Sequence, residues 1–599
     1  MARHDLEAVR GELQRMGYLT HRVERYLLQD AFRPQRPLGT VLHLAARLGL
    51  LGGALMALGS ALLLAIWNPQ VTAEPFDLLP LVLHLLPLWT LLFAAAFLLL
   101  AGVLALVLRL VPALRIDFLS FAVVAAGGGL LLGAALWAGR ELLAPRSALQ
   151  LGLLAAGAAA ATYLMAKLLY HGLLALAIRL TERTPRRRLF GRRWLVAAVA
   201  ACGALLVLLP AAVGARHRAP AAPAMLPTAP GGRVLLLGAD GVVPAELEYL
   251  LARGELPQLA RLAEHGALLS YDRPSGVPAA FWTTVATGLP SPQHGVAAVD
   301  SFRPLGMSAA LSVMGPFRWY WDRVALPLGL ASHRPVLANR RRAFALWELA
   351  ARAGGPVVAV NWWATYPAAP LPGLVVAHGA YQLLADGTAD AVAPTGRSAE
   401  VASLRRSEPP AEAERALAAA LPAADAATLS ERALAPDAFY RRLFAAAAPG
   451  TEAAALYLPG LDIAADGWRG SAVAFADLVR LELQALDGLL GDLLGDGAWD
   501  AVAVVFDPGR RGPAEGRVVL WRPAGCEGGE DRMAIERLAP ALVAVLGLPA
   551  SRQLAPPPEV CSWPRPPAVV DGFGWRTPPE QLAVPAEEYL ENLRSLGYL

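Results

Sequence analysis

The chain has 599 residues, of which 56% are hydrophobic and only 17% are charged, and its mean hydropathy is +0.43. Soluble globular domains are about 45–50% apolar and about 25% charged, so part of this chain is expected to lie in lipid. The net charge of +4 is weak evidence for a nucleic-acid partner, and none is predicted. Arginine, alanine, glycine and proline are abundant beside a single lysine, Lys167, which is typical of a GC-rich bacterial genome.

The N-terminal segment, residues 1–39, is charged and weakly amphipathic. It lacks the short apolar core and the small-residue cleavage site of a signal peptide. We therefore predict a cytosolic segment that precedes the membrane region.

The region 40–215 contains long apolar stretches, each meeting the roughly 20 residues needed to cross a hydrocarbon core of about 30 Å. Five are recognised, at 40–67, 79–109, 116–139, 148–178 and 194–215. The sequence thus predicts an α-helical membrane bundle of five spans, whose two ends lie on opposite sides of the bilayer.

The orientation is indicated by the connection between the fourth and fifth spans. This short loop carries seven arginines, namely Arg179, Arg183, Arg186, Arg187, Arg188, Arg192 and Arg193. Short loops rich in arginine stay cytoplasmic, and Arg109 and Arg115 after the second span agree. We predict a bacterial inner-membrane protein with a cytoplasmic N-terminus and everything beyond residue 215 periplasmic or extracytoplasmic. A nucleic-acid or inositol-lipid patch is the less favoured interpretation of the run.

Three polar residues of the fourth span, Tyr163, Lys167 and His171, recur every four residues and share one helix face. Ionisable groups at such depth usually face a bundle interior or a wet cavity, so a lipid headgroup or carrier could bind there. The favoured interpretation is that Lys167 snorkels to the inner interface from a span longer than the bilayer.

A proline- and alanine-rich stretch, 216–232, reads as a linker to a domain that covers 233–599. In that domain, two buried-strand patterns end in an acid: "RVLLLGAD" delivers Asp240 and "AVAVVFDPG" delivers Asp507. Helical patterns separate the strands, which predicts a three-layer α/β domain. Cys526 and Cys561 lie in the same half, where one disulfide is possible if the half is exported.

An ordered set of motifs covers nearly all of 233–599: "LLLGADG", "GELPQLARLAEHGA", "WTTVATGLPSPQHGV", "LWELAARAGGPVVAVNWWATYPAAPLPGLVV", "YLPGLDIAADGW", "FDPG" and "ENLRSLGYL". This set resembles the type I phosphodiesterase/nucleotide pyrophosphatase family of the alkaline phosphatase superfamily. Apolar spans before such a domain are also similar to lipoteichoic acid synthases and phosphoethanolamine transferases. The resemblance implies an alkaline-phosphatase-like fold.

The resemblance also implies two metal ions, commonly zinc, beside a Ser or Thr nucleophile that they activate for in-line displacement at phosphorus. The nucleophile position falls on Pro278, four residues before Trp282, and proline offers no nucleophile. Ser275 is a weak alternative that would require a longer loop. Thr283 and Thr284 stand where helix-packing residues are expected.

The ligand positions that the resemblance implies are also altered. Asp240 matches the first acid. "DIAAD" keeps Asp462 but has Asp466 in place of histidine, and "FDPG" keeps Asp507 but follows it with Pro508. The last ligand region, "GRRGPAEG", has no histidine, and none occurs anywhere after His378. His294 matches a position outside the metal set, so a structural role is expected.

The remaining acids, Asp240, Asp462, Asp466 and Asp507, could form a residual metal site that stays empty. We predict no cofactor; any cation would be Mg²⁺ or Ca²⁺ rather than Zn²⁺, because those ions prefer oxygen ligands. The alternative is that some of these acids are solvated or cap helix N-termini, which for Asp466 is at least as plausible.

Three functional hypotheses follow. The favoured one is a membrane-anchored pseudoenzyme that binds or scaffolds at the cell envelope, with an envelope protein, a glycan or a lipid-linked intermediate as partner beside the lipid bilayer. The second is an active phosphodiesterase or phosphotransferase with an oxygen-ligated metal site and Ser275 as nucleophile. The third assigns the function to the membrane bundle, with the outer domain as its regulator.

Overall fold

The structure is a computed structural model of the whole chain. It describes residues 2–19, 22–32, 37–68, 71, 75–111, 148–185, 196–201, 204, 223, 225–229, 231–312, 316–406, 411–495, 499–526, 528–576 and 586–598. The chain divides into two compact units: Met1–Arg218 with Phe302–Ser332, and Ala219–Ser301 with His333–Leu599.

The first unit is helical, with segments Ala2–Arg15, Arg22–Leu28, Pro37–Trp67, Leu78–Leu110 and Ala148–Thr181. In the described part of the chain, three helices are long and apolar enough to cross a membrane: Leu38–Ala65, Leu78–Leu110 and Ala156–Thr181. They correspond to the first, second and fourth predicted spans. The third predicted span, 116–139, and most of the fifth, 194–215, lie outside the described residues, so the number five stays a prediction.

The N-terminal segment packs against the helix Ala148–Thr181. Glu24 is buried and contacts Lys167, with 3.3 Å between Oε1 and Nζ, and His171, with 3.7 Å between Oε1 and Nε2. The hydroxyls of Tyr18 and Tyr170 are 3.0 Å apart beside them. Lys167 is therefore buried and paired with Glu24 of the N-terminal segment, and its position at the inner interface stays a prediction. The sequence periodicity showed the helix face correctly but not its carboxylate partner.

The segment 302–332, which the sequence analysis assigned to the outer domain, groups with the helical unit. It contains the short helix Pro316–Tyr320 and the π-helical turn Trp321–Ala325. Two buried side chains of the first unit bind its backbone: Asp77 accepts hydrogen bonds from Ser308 N at 2.9 Å and Ala309 N at 2.7 Å, and Asn68 Oδ1 accepts one from Ser312 N at 2.7 Å.

The second unit is built on an eight-stranded mixed sheet of order β2-β10-β9-β1-β8-β5-β6-β7. Its strands are β1 Val234–Asp240, β2 Ala267–Asp272, β5 Val357–Trp362, β6 Gly373–Ala377, β7 Val392–Ala393, β8 Ala453–Leu458, β9 Ala501–Asp507 and β10 Glu515–Trp521. The strands β9, β1, β8, β5 and β6 run parallel, and β10, β2 and β7 are antiparallel to their neighbours. Two strand pairs stand apart, β3 Asp300–Pro304 with β4 Ala331–Pro335 and β11 Ala550–Ser551 with β12 Val569–Val570.

Every residue of β1, β8 and β9 is buried. Because alternate side chains of a strand point to opposite faces, both faces of the central sheet are covered, as the three-layer prediction requires. The α-helices of this unit are Pro244–Ala252, Pro257–His265, Pro278–Thr287, Ser291–His294, Leu346–Arg352, Ala380–Leu383, Ser398–Ser403, Ala411–Ala420, Ala423–Leu429, Ala435–Ala447, Gly460–Gly467, Ala472–Leu494, Leu538–Val545 and Ala586–Ser595.

A disulfide joins Cys526 and Cys561, the two cysteines for which the sequence left pairing open. Both side chains pack against the hydrophobic core of the second unit. The covalent link ties the loop after β10 to the segment that precedes β12.

Candidate functional site

Three acids meet at the carboxyl edge of the central strands. Asp240 ends β1 and Asp507 ends β9, and the two residues are register partners on these adjacent parallel strands. Asp462 lies in the first turn of the helix Gly460–Gly467, which follows β8 on the other side of β1. The prediction that Asp240 and Asp507 lie at the carboxyl ends of neighbouring strands is confirmed, and Asp462 joins them.

Two glycines let the backbone approach these carboxylates closely. A Cβ on Gly509, whose φ is +77°, would lie 2.5 Å from Asp462 Oδ1, and one on Gly241, whose φ is +89°, would lie 2.3 Å from the Asp462 amide nitrogen. Both φ values are in the left-handed region that favours glycine. The motifs "GADG" and "DPG" thus serve the packing of the acids.

Asp240 is the most enclosed of the acids. Its Oδ2 accepts hydrogen bonds from Trp282 Nε1 at 3.0 Å and Tyr457 Oη at 2.8 Å, whereas its buried Oδ1 has no hydrogen-bond partner. Burial, then the negative charges of Asp462 and Asp507, raise the pKa of Asp240 well above its usual value, against the lowering effect of the two hydrogen bonds. This acid is therefore biased toward its neutral form.

Asp507 forms an ion pair with an arginine. The guanidinium of Arg273, which directly follows β2, donates to both carboxylate oxygens of Asp507, with Nε at 2.8 Å from Oδ2. Its Nη2 also donates to the Gly509 carbonyl at 2.6 Å. Burial lowers the pKa of Arg273, but the bonds and charge of Asp507 outweigh it and the net shift is upward. Arg273 therefore stays charged and neutralises Asp507.

Asp462 is paired in the same way with Arg510, three residues after Asp507. The Arg510 backbone N donates to Asp462 Oδ1 and its Nε to Oδ2, both at 2.7 Å. Asp466 stands apart from the other acids: its side chain is 39% exposed and pairs with Arg511 at 2.9 Å. The structure thus brings three of the four predicted acids together and leaves Asp466 outside the cluster.

The C-terminal segment covers this cluster. Arg510 Nη1 donates to the Gly597 carbonyl, and the guanidinium carbon of Arg510 lies 4.6 Å from the centroid of the Tyr598 ring. Burial, then the charges of Asp462 and Asp240, raise the pKa of Tyr598, which keeps its phenol neutral. The motif "LGYL" therefore closes the site with an aromatic ring.

The nucleophile position holds no reactive group. Pro278 is buried as the first residue of the helix Pro278–Thr287, where proline fits because the N–H that it lacks would be unpaired there. Ser275 Oγ accepts a hydrogen bond from Val277 N at 3.2 Å and so supports the turn into this helix. Thr283 and Thr284 donate to carbonyls one turn back, at 2.6 Å and 3.0 Å, as expected of packing residues.

The two buried histidines of this unit have structural contacts. His294 Nε2 lies 3.1 Å from Thr284 Oγ1, and its Nδ1 accepts from Val296 N at 3.1 Å. His378 stacks on Trp363 with 3.8 Å between ring centroids. Burial lowers the pKa of each to about 3, with Arg341 and Arg342 adding to the effect at His294. Both imidazoles are therefore neutral near pH 7.

These donors do not fit a pair of metal ions. Asp462 and Asp507 already accept bonds from guanidinium groups, and Asp240 offers only its Oδ1. Pro508, which follows Asp507, adds no ligand atom from its side chain. Within the described ranges, no group of three or more His, Cys, Asp or Glu side chains could hold a metal ion. Arg273 and Arg510 are the site residues that sequence reasoning missed, although "DPGRR" places the second beside Asp507.

A separate cavity of about 590 Å³ lies at the other edge of the sheet. Trp521, at the end of β10, pairs with Val502 near the start of β9, so this end of β10 is opposite the acids. The lining includes aromatic side chains, two arginines and one carboxylate: Trp499, Trp521, His265, Arg261, Arg522 and Glu264.

Comparisons with known proteins give little further information. No protein-family model and no curated protein matches the chain. Two solved structures of phosphonoacetate hydrolase from Sinorhizobium meliloti 1021, in complex with phosphonoacetate and with phosphonoformate, are similar at 16% and 17% identity and TM-scores of 0.28 and 0.29. Each similarity covers 48% of this chain and 59%, less than two thirds, of the other. Such values establish neither a shared fold nor a shared activity, so the functional conclusion depends on the side chains around Asp240.

Proposed function

We propose that the chain is a membrane-anchored protein of the alkaline phosphatase type whose outer domain binds or scaffolds at the bacterial cell envelope and does not hydrolyse phosphoesters. The acids are kept as a buried, neutralised cluster. One observation carries this proposal: guanidinium groups, not open coordination positions, face Asp462 and Asp507.

The charges of the cluster balance without a metal ion. Arg273 offsets Asp507, Arg510 offsets Asp462, and the raised pKa of Asp240 favours its neutral form. A buried ion pair that loses one partner leaves an uncompensated charge, at a cost of about 3–5 kcal/mol. A divalent cation would have to displace the arginines before it could bind, and Pro278 offers it no hydroxyl to activate.

The proposed location is the inner membrane, with the N-terminus cytoplasmic and the outer domain periplasmic. Three apolar helices in the described part of the chain support the membrane anchor. The disulfide Cys526–Cys561 supports export of the outer domain, because disulfides persist in oxidising compartments and are rare in the cytosol.

The proposed binding role has a candidate surface in the cavity around Trp499 and Trp521. Its volume, about 590 Å³, is within the usual size of ligand pockets. Trp499 is only 3% exposed and has Arg233 over its ring, so Trp521 is the indole that suits the apolar face of a sugar ring. Arg261 and Arg522 suit an acidic group, and Glu264 also lines the cavity. A glycan or an anionic envelope intermediate therefore fits this lining better than a cation does.

The test uses the purified full chain in nanodiscs. We expect no stoichiometric zinc by metal analysis and no turnover above background in a broad phosphoester screen with Zn²⁺, Mn²⁺, Mg²⁺ or Ca²⁺. Pro278→Thr should also be inactive, because the new hydroxyl has no metal to ionise it. Turnover that is abolished by Ser275→Ala would overturn the proposal and support the alternative, an active phosphodiesterase or phosphotransferase with an oxygen-ligated metal site.

A further inference from the structure

Residues 302–312 and 316–332, here called the docking segment, pack on the ends of two apolar helices. Buried side chains of the segment, including Phe302, Met307, Leu311 and Trp321, form one hydrophobic cluster with residues near the end of Pro37–Trp67 and the start of Leu78–Leu110. His84 makes two more contacts: its Nε2 lies 3.0 Å from the Leu305 carbonyl, and its own carbonyl accepts from Tyr320 Oη at 2.8 Å.

The helix lengths indicate the depth of this cluster. Leu78–Leu110 has 33 residues and Pro37–Trp67 has 31. At 1.5 Å per residue they are about 50 Å and about 46 Å long, which exceeds a hydrocarbon core of about 30 Å. Parts of both helices must therefore extend beyond the core or tilt within it. The docking segment covers the first turns of the second helix, from Leu78 to Trp89, so it lies at one end of the apolar spans, the end at which a helix longer than the core leaves the hydrocarbon.

The outer surface of the docking segment is unusually apolar for a solvated loop. Trp319, Leu328 and Leu305 are 60%, 66% and 67% exposed. Arg323 is exposed four residues after Trp319 on the same helical stretch. Tryptophan beside arginine is typical of segments at a bilayer surface, where the indole lies among headgroups and the guanidinium meets phosphate. The start of the second helix continues this surface with the exposed Phe76 and Leu79.

We propose that the docking segment is an interfacial membrane-binding element, whose Trp319, Leu328 and Leu305 side chains insert into the headgroup region of the bilayer that the helices Pro37–Trp67 and Leu78–Leu110 cross. The occupant of this apolar surface is lipid. This inference rests on the proposed membrane anchor.

Polar contacts hold the docking segment against the ends of the two helices. Asp77, just before the second helix, accepts from Ser308 N, Ser308 Oγ and Ala309 N, and Asn68, just after the first helix, both donates to and accepts from the Ser312 backbone. Buried carboxylate and amide groups bonded in this way fix a loop in one place. The position of Trp319 relative to the bilayer is therefore set by the ends of the spans.

The experiment measures nitroxide depth in the full chain, reconstituted in phosphatidylcholine and phosphatidylglycerol nanodiscs. The free thiol is removed with Cys202→Ser while Cys526–Cys561 is kept, and single labels are placed with Trp319→Cys or Leu328→Cys. Both positions are exposed, so labelling removes little packing. Leu99→Cys, exposed in the middle of the second helix, is the lipid reference, and Val473→Cys, exposed on the second unit, is the aqueous reference.

We expect the ratio of oxygen to nickel-complex accessibility at 319 and 328 to be severalfold higher than at 473 and to approach that at 99. If the label at position 99 is in lipid and the labels at positions 319 and 328 have the same accessibility ratio as the label at 473, the interfacial inference is wrong while the membrane anchor stands. If 99 is itself aqueous, the anchor fails. Low accessibility to both reagents at 319, with dipolar broadening between labels, would show a second copy as the occupant and would also overturn the inference.

Discussion

Acid sensitivity of the second unit is expected to depend on His378. This imidazole is buried against Trp363, its Nδ1 lies 3.0 Å from Tyr589 Oη, and its backbone N donates to Thr365 Oγ1 at 2.9 Å. Burial lowers the pKa of His378 from 6.5 to about 3. The folded domain therefore excludes a proton that the unfolded chain binds below pH 6.5.

The size of the effect follows from that difference. Stability is fully present above pH 6.5 and falls as the pH drops from 6.5 toward 3, because only the unfolded state gains the proton. At pH 5 the unfolded imidazole is about 1.5 pH units below its pKa, so folding loses about 2 kcal/mol at this residue. His294, whose pKa is also lowered to about 3, adds a similar loss.

The perturbation is His378→Phe, which keeps a ring against Trp363 but has no titrating group. At pH 7.5 the variant should be less stable than the wild type by about 1 kcal/mol, because the bond with Tyr589 is lost. At pH 5 it should be more stable by about 1 kcal/mol, since the wild type pays the protonation cost. The two stability curves should therefore cross near pH 6. Tyr589→Phe is the matched control, since it removes the same bond but keeps the imidazole and the wild-type pH slope.

The assay is pulse proteolysis of the full chain in nanodiscs across a urea series at pH 5, 6 and 7.5, with the disulfide kept intact. The midpoint of cleavage reports the unfolding of the outer domain. Parallel pH profiles for the wild type and His378→Phe would show that the folded state accommodates the proton, and the reasoning from burial would be refuted.

Three further predictions follow from the charge pairs, the disulfide and the topology. Arg510→Gln should destabilise the second unit by about 3 kcal/mol, because the charge of Asp462 is left buried without its guanidinium partner. Arg511→Gln, which removes the partner of the more exposed Asp466, should cost less than about 1 kcal/mol. Equal urea midpoints for the two variants would contradict the inference that Arg510 neutralises Asp462. Cys561→Ser should lower stability by about 3–4 kcal/mol, as expected for a closed loop of this size, and an unchanged midpoint in non-reducing buffer would show that the disulfide does not form. A reporter fused after residue 599 should be exported and one placed within 181–193 should stay cytoplasmic, and the reverse pattern of reporter activity would overturn the orientation.

The fold of the outer domain was largely predictable because its signals are local. The runs that end at Asp240 and Asp507 are continuous and apolar, which is typical of strands buried on both faces. The two strands are neighbours in the sheet. The grouping of residues 302–332 with the helical unit was not predictable, because it depends on Asp77 and Asn68, which bind Ser308 and Ser312 from far away in the chain. The pairing of Lys167 with Glu24 was not predictable for the same reason, because Glu24 is far away in the chain and lies outside every apolar pattern.

The sequence predicted the acids of the site but not the arginines that pair with them. Asp240, Asp462 and Asp507 follow strands at fixed motifs, so their convergence comes with the fold. Arg273 reaches Asp507 across 234 residues of sequence, and a single arginine in an arginine-rich chain gives no periodic signal. Asp466 was grouped with the other acids through the resemblance of "DIAAD", with a solvated position as the alternative; it lies on the exposed side of its helix and pairs with Arg511.

The charged groups at the site balance one another. Three carboxylates that share a buried edge repel each other, and a fold that keeps them needs positive charge or protonation at that edge. Arg273 and Arg510 supply two positive charges with bonds to both oxygens of their partners, and the hydrogen bonds of Trp282 and Tyr457 to Asp240 Oδ2 leave its Oδ1 free to hold a proton. Pro278 is compatible with this state, since it begins a helix where its missing N–H would be unpaired. A hydroxyl introduced at position 278 would leave Arg273 and Arg510 in place, and a cation that entered would gain only Asp240 Oδ1 as a ligand until it broke the buried ion pairs of Asp462 and Asp507.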